Sequence, residues 1–185
     1  MIYWILLVLG VAIWWAAHLF KRVAPERRAA MGDKGRGPVA LALLGSVVLM
    51  VIGFRGTEFV PVWSPPSFMV HINNLLVLIA IYMMSPAPKR GVLLSGMRHP
   101  MLTGFALWAV AHLLVNGDLA SIVMFGGLLV WAIVTPRIIN RAEPDWTPNA
   151  GGTLTKDAMF LAASVVLMAV IGVIHNFLGY WPFPS

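Results

Sequence analysis

The chain contains no cysteine. That absence excludes disulfides, thiolate metal sites, cysteine-ligated clusters and covalent c-type haem attachment. Charge is scarce as well: 11% of the 185 residues are Asp, Glu, Lys or Arg, against about 25% in a soluble domain. None of the seven acidic residues lies inside a long apolar run. A carboxylate-bridged metal centre is therefore not expected, nor is the mid-depth ionisable residue of a cation-coupled transporter. What the chain does have is apolar: 59% hydrophobic residues and a mean hydropathy of +0.84. Lipid is the expected solvent, so the backbone must satisfy its own hydrogen bonds in helices or in a closed barrel. Barrel strands alternate over about 10 residues. The runs here are longer and do not alternate, so the expected class is all-α, a polytopic membrane helix bundle.

Six apolar runs approach the length of about 20 residues that a span requires: 2–20, 39–54, 68–84, 101–115, 119–134 and 158–178. The fourth and fifth are short, and Asn116-Gly117-Asp118 between them signals a hairpin. The first lacks a charged leader and a small-residue cleavage site, so it is expected to be a retained helix. Basic residues cluster in alternate connections: Lys21, Arg22, Arg27, Arg28, Lys34 and Arg36; Lys89, Arg90 and Arg98; Arg137, Arg141 and Lys156. Only Arg55 falls on the other side. Positive charge marks cytoplasmic loops, which predicts six transmembrane helices with both termini non-cytoplasmic. The net charge of +6 is thus assigned to orientation, and no nucleic-acid partner is expected. The segment 143–155, rich in Pro and Gly, reads as a flexible cytoplasmic loop. No internal repeat is apparent, and residues 1–185 read as a single domain.

The candidate functional residues are the five histidines, His18, His71, His99, His112 and His175, all in or beside the apolar runs. An imidazole in a membrane is costly without a partner. His18 reads equally well as an interfacial residue, His99 as a helix-start or lipid-phosphate residue, and His175 as an interfacial residue beside Asn176. His71 and His112 have the best placement for ligands. In the six-span topology His18 and His99 fall toward the cytoplasmic side, and His71, His112 and His175 toward the outer side. Paired imidazoles on facing helices suit a b-type haem. Zinc and copper sites usually take a third or fourth protein ligand.

Residues 97–131 carry a more specific pattern: Arg98-His99-Pro100, Gly104, Trp108, Ala111-His112 and Asn116-Gly117. With His18 before the basic residues and Val23-Ala24-Pro25, and with His71 after the Trp63–Pro66 loop, the chain resembles the NnrU family of bacterial membrane proteins. The resemblance implies a link to nitrite and nitric oxide metabolism in denitrifying bacteria. It also implies a relation to zeta-carotene isomerase, which is similar to the family and holds haem b through histidines. By position, His18 and His112 match that enzyme's haem ligands, and His71, Arg98 and His99 match other recurring family positions. The depth estimate favours His71 with His112 instead, and both pairings stay open.

The leading expectation is a haem b protein, working in redox chemistry or as a haem-dependent isomerase of an apolar, carotenoid-like polyene in a pocket including Phe105 and Trp108. The Arg98-His99-Pro100 and Gly104 pattern also resembles membrane isoprenylcysteine and phospholipid methyltransferases, whose S-adenosylmethionine site includes a later pair of glutamates. Only Glu143 stands here. The third expectation is a non-catalytic assembly factor, packing through Gly126-Gly127 or Gly45.

Overall fold

The computed structural model describes residues 1–183. Six principal helices follow one another: α1 Ile2–Val23, α2 Arg36–Gly56, α3 Met69–Met84, α4 Pro100–Val115, α5 Leu119–Ala142 and α6 Leu154–Phe177. Short helices Pro25–Ala30 and Ala87–Arg90 lie in the connections. Among the described residues there is no strand, only an isolated bridge between Pro61 and Asp118. The protein is all-helical. Helices α1, α2, α5 and α6 are long and apolar enough to cross a membrane. Helices α3 and α4 have 16 residues each, about 24 Å of rise, less than the roughly 30 Å hydrocarbon core.

Helix α5 runs past its apolar stretch. The apolar run stops at residue 134, before Thr135, Pro136 and Arg137, yet the helix continues to Ala142. Thr135 Oγ1 donates to the Trp131 carbonyl at 2.7 Å, a bond local to the turn that Pro136 interrupts. A π-helical turn at Ile122–Gly126 lies in the same helix.

The chain forms two compact units, 1–63 with 117–142 and 64–116 with 143–185. In the first, α1 and α2 pack closely because small residues let the backbones approach. A Cβ on Gly53 would stand 2.4 Å from the Leu7 nitrogen, and one on Gly10 would stand 2.8 Å from the Met50 nitrogen. Gly45 and Gly126 have nothing within 4 Å of that position, while Gly127 faces Val11. The close helix packing therefore falls on Gly10 and Gly53, whose neighbours lie far away in sequence. Trp15 Nε1 adds a 3.0 Å bond to the Gly127 carbonyl on α5.

At the other end of this unit the α2–α3 linker meets the start of α5. Val62 and Trp63 donate backbone N–H groups to the Gly117 carbonyl at 2.7 and 3.0 Å, and Leu119 donates to Val60. A Cβ on Gly117 would stand 1.9 Å from the Trp63 carbonyl oxygen, so only glycine fits. Asp118 then caps α5, accepting from the Ser121 N–H at 2.9 Å and from Ser121 Oγ at 2.6 Å.

In the second unit α3 packs on α4 and α6. A Cβ on Gly104 would meet the Ala80 carbonyl and Met83 Cβ at 2.9 Å. Segment 143–153 is irregular but tied to the connection before α4. Arg98 donates to the carbonyls of Glu143 and Pro144, Asn149 N–H to Ser95, and Thr153 N–H to Arg90. The flexible loop expected there is laced down instead.

Outside these contacts the helices present apolar side chains. Ile5, Val8, Val48, Val51, Val165, Val166 and Val170 are all exposed. Water would penalise that surface at about 25 cal/mol per Å²; lipid does not. The protein is a membrane protein.

Candidate functional site

His18 lies near the end of α1 and His112 near the end of α4, in different units. Their local structures match. His18 Nδ1 lies 3.0 Å from the Trp14 carbonyl, and His112 Nδ1 lies 2.9 Å from the Trp108 carbonyl. A carbonyl oxygen only accepts, so Nδ1 carries the proton in both rings and the lone pair is on Nε2. That tautomer is the one a metal-ligating imidazole adopts when its other nitrogen is anchored. In each case the tryptophan four residues earlier also packs against the imidazole at a tilt, with interplanar angles of 43° and 50°. Ring centroids are 4.2 Å apart for Trp14 and His18, and 4.8 Å for Trp108 and His112.

The shared geometry has a shared sequence. Trp14-Trp15-Ala16-Ala17-His18 and Trp108-Ala109-Val110-Ala111-His112 both read Trp-x-x-Ala-His. Sequence reading paired the histidines by depth and by family position, and found no repeat. Helical periodicity puts residues four apart on one face, and scanning for it would have revealed the pair.

The surroundings differ. Around His18, Trp131 of α5 closes a second side, with its ring centroid 4.6 Å from the imidazole and 5.4 Å from Trp14. Trp131 was not among the expected site residues. Beside His112, Phe105 extends an aromatic row along α4, its centroid 5.1 Å from Trp108. Asn116 closes the helix by donating Nδ2 to the His112 carbonyl at 2.8 Å. His175 on α6 lies within electrostatic range of His112. It is anchored in the same manner, with Nδ1 2.8 Å from the Ile171 carbonyl. The second unit thus brings His175, read from sequence as interfacial, toward His112.

The remaining candidates are placed otherwise. His71 sits exposed in the first turn of α3, and its hydrogen bond to Phe68 is made by the backbone. His99 holds the position before α4, and its side chain makes no cap hydrogen bond. Its carbonyl accepts from Thr103 Oγ1 at 3.0 Å. Arg98 binds the carbonyls of segment 143–144. Among the described residues no three His, Asp or Glu side chains converge to hold a metal ion. A two-imidazole site makes no such demand.

One buried polar constellation escaped the sequence reading. Asp157, in the first turns of α6, is 3% exposed. Its carboxylate accepts from Tyr82 Oη at 2.5 Å and from the N–H groups of Val92 and Leu93 at 2.7 and 3.3 Å. The signal was a lone acid directly before a long apolar run.

A profile of the NnrU protein family matches residues 6–182. The chain belongs to the NnrU family. No curated protein and no solved structure matches it. Gly104 and Asn116-Gly117, which carried the resemblance, have structural duties here: a helix crossing, a helix end and a loop contact.

Proposed function

We propose that this NnrU family protein binds haem b in the membrane, and that His112 would be one of the residues that hold it. The observation that carries the reading is the twin Trp-x-x-Ala-His geometry, in which a backbone carbonyl fixes each imidazole with its lone pair on Nε2. The donor chemistry fits: neutral imidazoles in apolar and aromatic surroundings. Within the same unit, His175, which lies within electrostatic range of His112, or His71 would supply the second imidazole; His18 shares the motif in the other unit. The chemistry such a group would supply is one-electron exchange at iron. Within the chain, the Trp108 carbonyl holds the His112 proton on Nδ1, and the row of Phe105 and Trp108 offers a dry aromatic wall.

The setting we assign is the bacterial inner membrane, in nitrite and nitric oxide metabolism, which the family resemblance suggests. Haem-dependent cis–trans isomerisation of a carotenoid-like polyene is the second reading, favoured by the same aromatic row. Methyl transfer from S-adenosylmethionine draws less support, because Arg98 and Gly104 are accounted for by a loop and a helix crossing. A purely structural assembly role predicts no cofactor.

We further propose six membrane crossings with both termini non-cytoplasmic. Two observations support this. The segments that charge places together also meet within a unit: 88–98 with 143–153, and 60–63 with 117–119. The end of α1, the connection after it and the start of α2 also gather the cations Lys21, Arg22, Arg28 and Arg36 at one cavity, which the end of α5 lines through Ala142.

The test of the haem reading is the spectrum of protein purified from haem-supplemented cells, oxidised and dithionite-reduced. A b-type spectrum that disappears in His112→Ala supports the reading, and the second variant to lose it among His18→Ala, His71→Ala and His175→Ala names the partner. A colourless wild-type protein rejects it.

A further inference from the structure

Two cavities adjoin the same stretch of the first unit, and neither contains a histidine. One, of about 760 Å³, is lined by Lys21, Arg22, Arg28 and Arg36, with Asp33 among them. The other, of about 300 Å³, is lined by apolar residues of α1 and α2, among them Ile13, Ala17, Phe20 and Val39. They are contiguous along the chain: Phe20 precedes Lys21, and Met31 of the apolar cavity precedes Gly32 of the basic one. The geometry points to a bound anionic glycerophospholipid, its headgroup phosphate in the basic cavity and an acyl chain in the apolar one.

The charges decide the sign of the ligand. Four cations face one carboxylate, and that carboxylate is engaged, since Asp33 Oδ1 lies 3.0 Å from Arg36 Nη2. The wall is also shaped. Arg28 donates Nη1 to the Gly32 carbonyl at 3.0 Å, which holds the turn that closes the cavity. Guanidinium groups suit phosphate oxygens because they donate through a planar fork. Basic pockets beside membrane helices are recognised headgroup sites. The apolar cavity selects the source. A free phosphate has no use for it, whereas Ile13 to Phe20 cover about 10 Å of helix, enough to seat the upper part of an acyl chain. Ala17 and its small neighbours leave the room. The proposal does not depend on haem, and its readout is lipid mass.

The experiment uses delipidated full-length protein in an uncharged detergent. It is titrated with dioctanoyl phosphatidylglycerol, dioctanoyl phosphatidylcholine and inorganic phosphate, with adducts counted by native mass spectrometry. One phosphatidylglycerol per chain is expected to bind at least about tenfold more tightly than phosphatidylcholine, as follows from surface cations contributing about 1 kcal/mol each. Lys21→Gln with Arg36→Gln removes two exposed cations and is expected to weaken phosphatidylglycerol roughly 30-fold, with helix content unchanged by circular dichroism. Ala17→Phe fills the apolar cavity and is expected to weaken the lipid while leaving phosphate binding as it was. Equal binding of the two lipids, or an unaffected double variant, overturns the proposal. So does phosphate displacing phosphatidylglycerol at equal concentration, which would make the cavity a site for the free anion. Should Ala17→Phe fail to fold, the charge variant decides alone.

Discussion

Tyr82 on α3 donates a 2.5 Å hydrogen bond to Asp157 on α6, and the same carboxylate takes the N–H groups of Val92 and Leu93. One side chain thereby joins two helices and the connection after α3. A Cβ on Gly91 would fall 1.9 Å from Asp157 Oδ1, so glycine is needed where the loop crosses the acid. Asp157→Ala strands the Tyr82 hydroxyl, and a buried donor without an acceptor costs its desolvation in full. Asp157→Asn keeps one carbonyl oxygen as an acceptor. Thermal unfolding in detergent is expected to rank wild type above Asn and Asn above Ala. An Ala variant that melts with the wild type would show that the carboxylate does not hold this end together.

Gly104→Val places a branched side chain where the Ala80 carbonyl and Met83 Cβ already stand at 2.9 Å from a Cβ. Overpacking at such a contact costs about 1–3 kcal/mol. Gly45→Val adds atoms where nothing lies within 4 Å, and a substitution free of contacts usually stays within about 0.5 kcal/mol. The pair of variants, compared by unfolding midpoint, separates a glycine required by packing from one that merely lies in an apolar helix. Equal midpoints would remove Gly104 from the helix crossing.

The helix positions were legible because apolar runs and their punctuation are local properties. The end of α5 lies among the polar residues after its apolar run, at Ala142, and the run alone does not mark it. The close approach of α1 and α2 was not legible, because what matters there is the opposite helix, and Gly53 finds Leu7 across forty-odd residues of sequence. The site was legible in part. Histidines in apolar runs draw attention at once. Trp131 beside His18 and His175 near His112 depend on tertiary contacts that spacing does not reveal. The order in segment 143–153 was hidden too, since the groups that fix it are backbone carbonyls and N–H groups, which carry no sequence signal.

If Nδ1 is anchored by the backbone, the tryptophan ring is not what sets the tautomer. Trp108→Phe retains the carbonyl and an aromatic face, so it is expected to keep stoichiometric haem with a modestly shifted spectrum. His112→Gln removes the imidazole and is expected to leave only background haem. The readout is the ratio of haem absorbance to protein after gel filtration. Loss of haem in Trp108→Phe with normal elution would show that the ring, not the carbonyl, holds the site.

The absence of cysteine makes topology directly measurable, because a single introduced thiol is then the only one in the chain. Glu58, exposed in the linker after α2, and Lys34, exposed before it, are separated by one long apolar helix. Their substitution by cysteine touches no buried group. With α1 entering from outside, Glu58→Cys is expected to react with an impermeant maleimide in cells whose inner membrane is intact. Lys34→Cys should react only after lysis. Asp145→Cys, in the segment tied to Arg98, should follow Lys34→Cys, because cations on both sides of it place that loop in the cytoplasm. Labelling of Glu58→Cys only after lysis would invert the orientation. Opposite behaviour of Lys34→Cys and Asp145→Cys would mean an odd number of crossings between them, and since α1, α2, α5 and α6 are long enough to span, the shortfall would fall on α3 or α4, the two 16-residue helices.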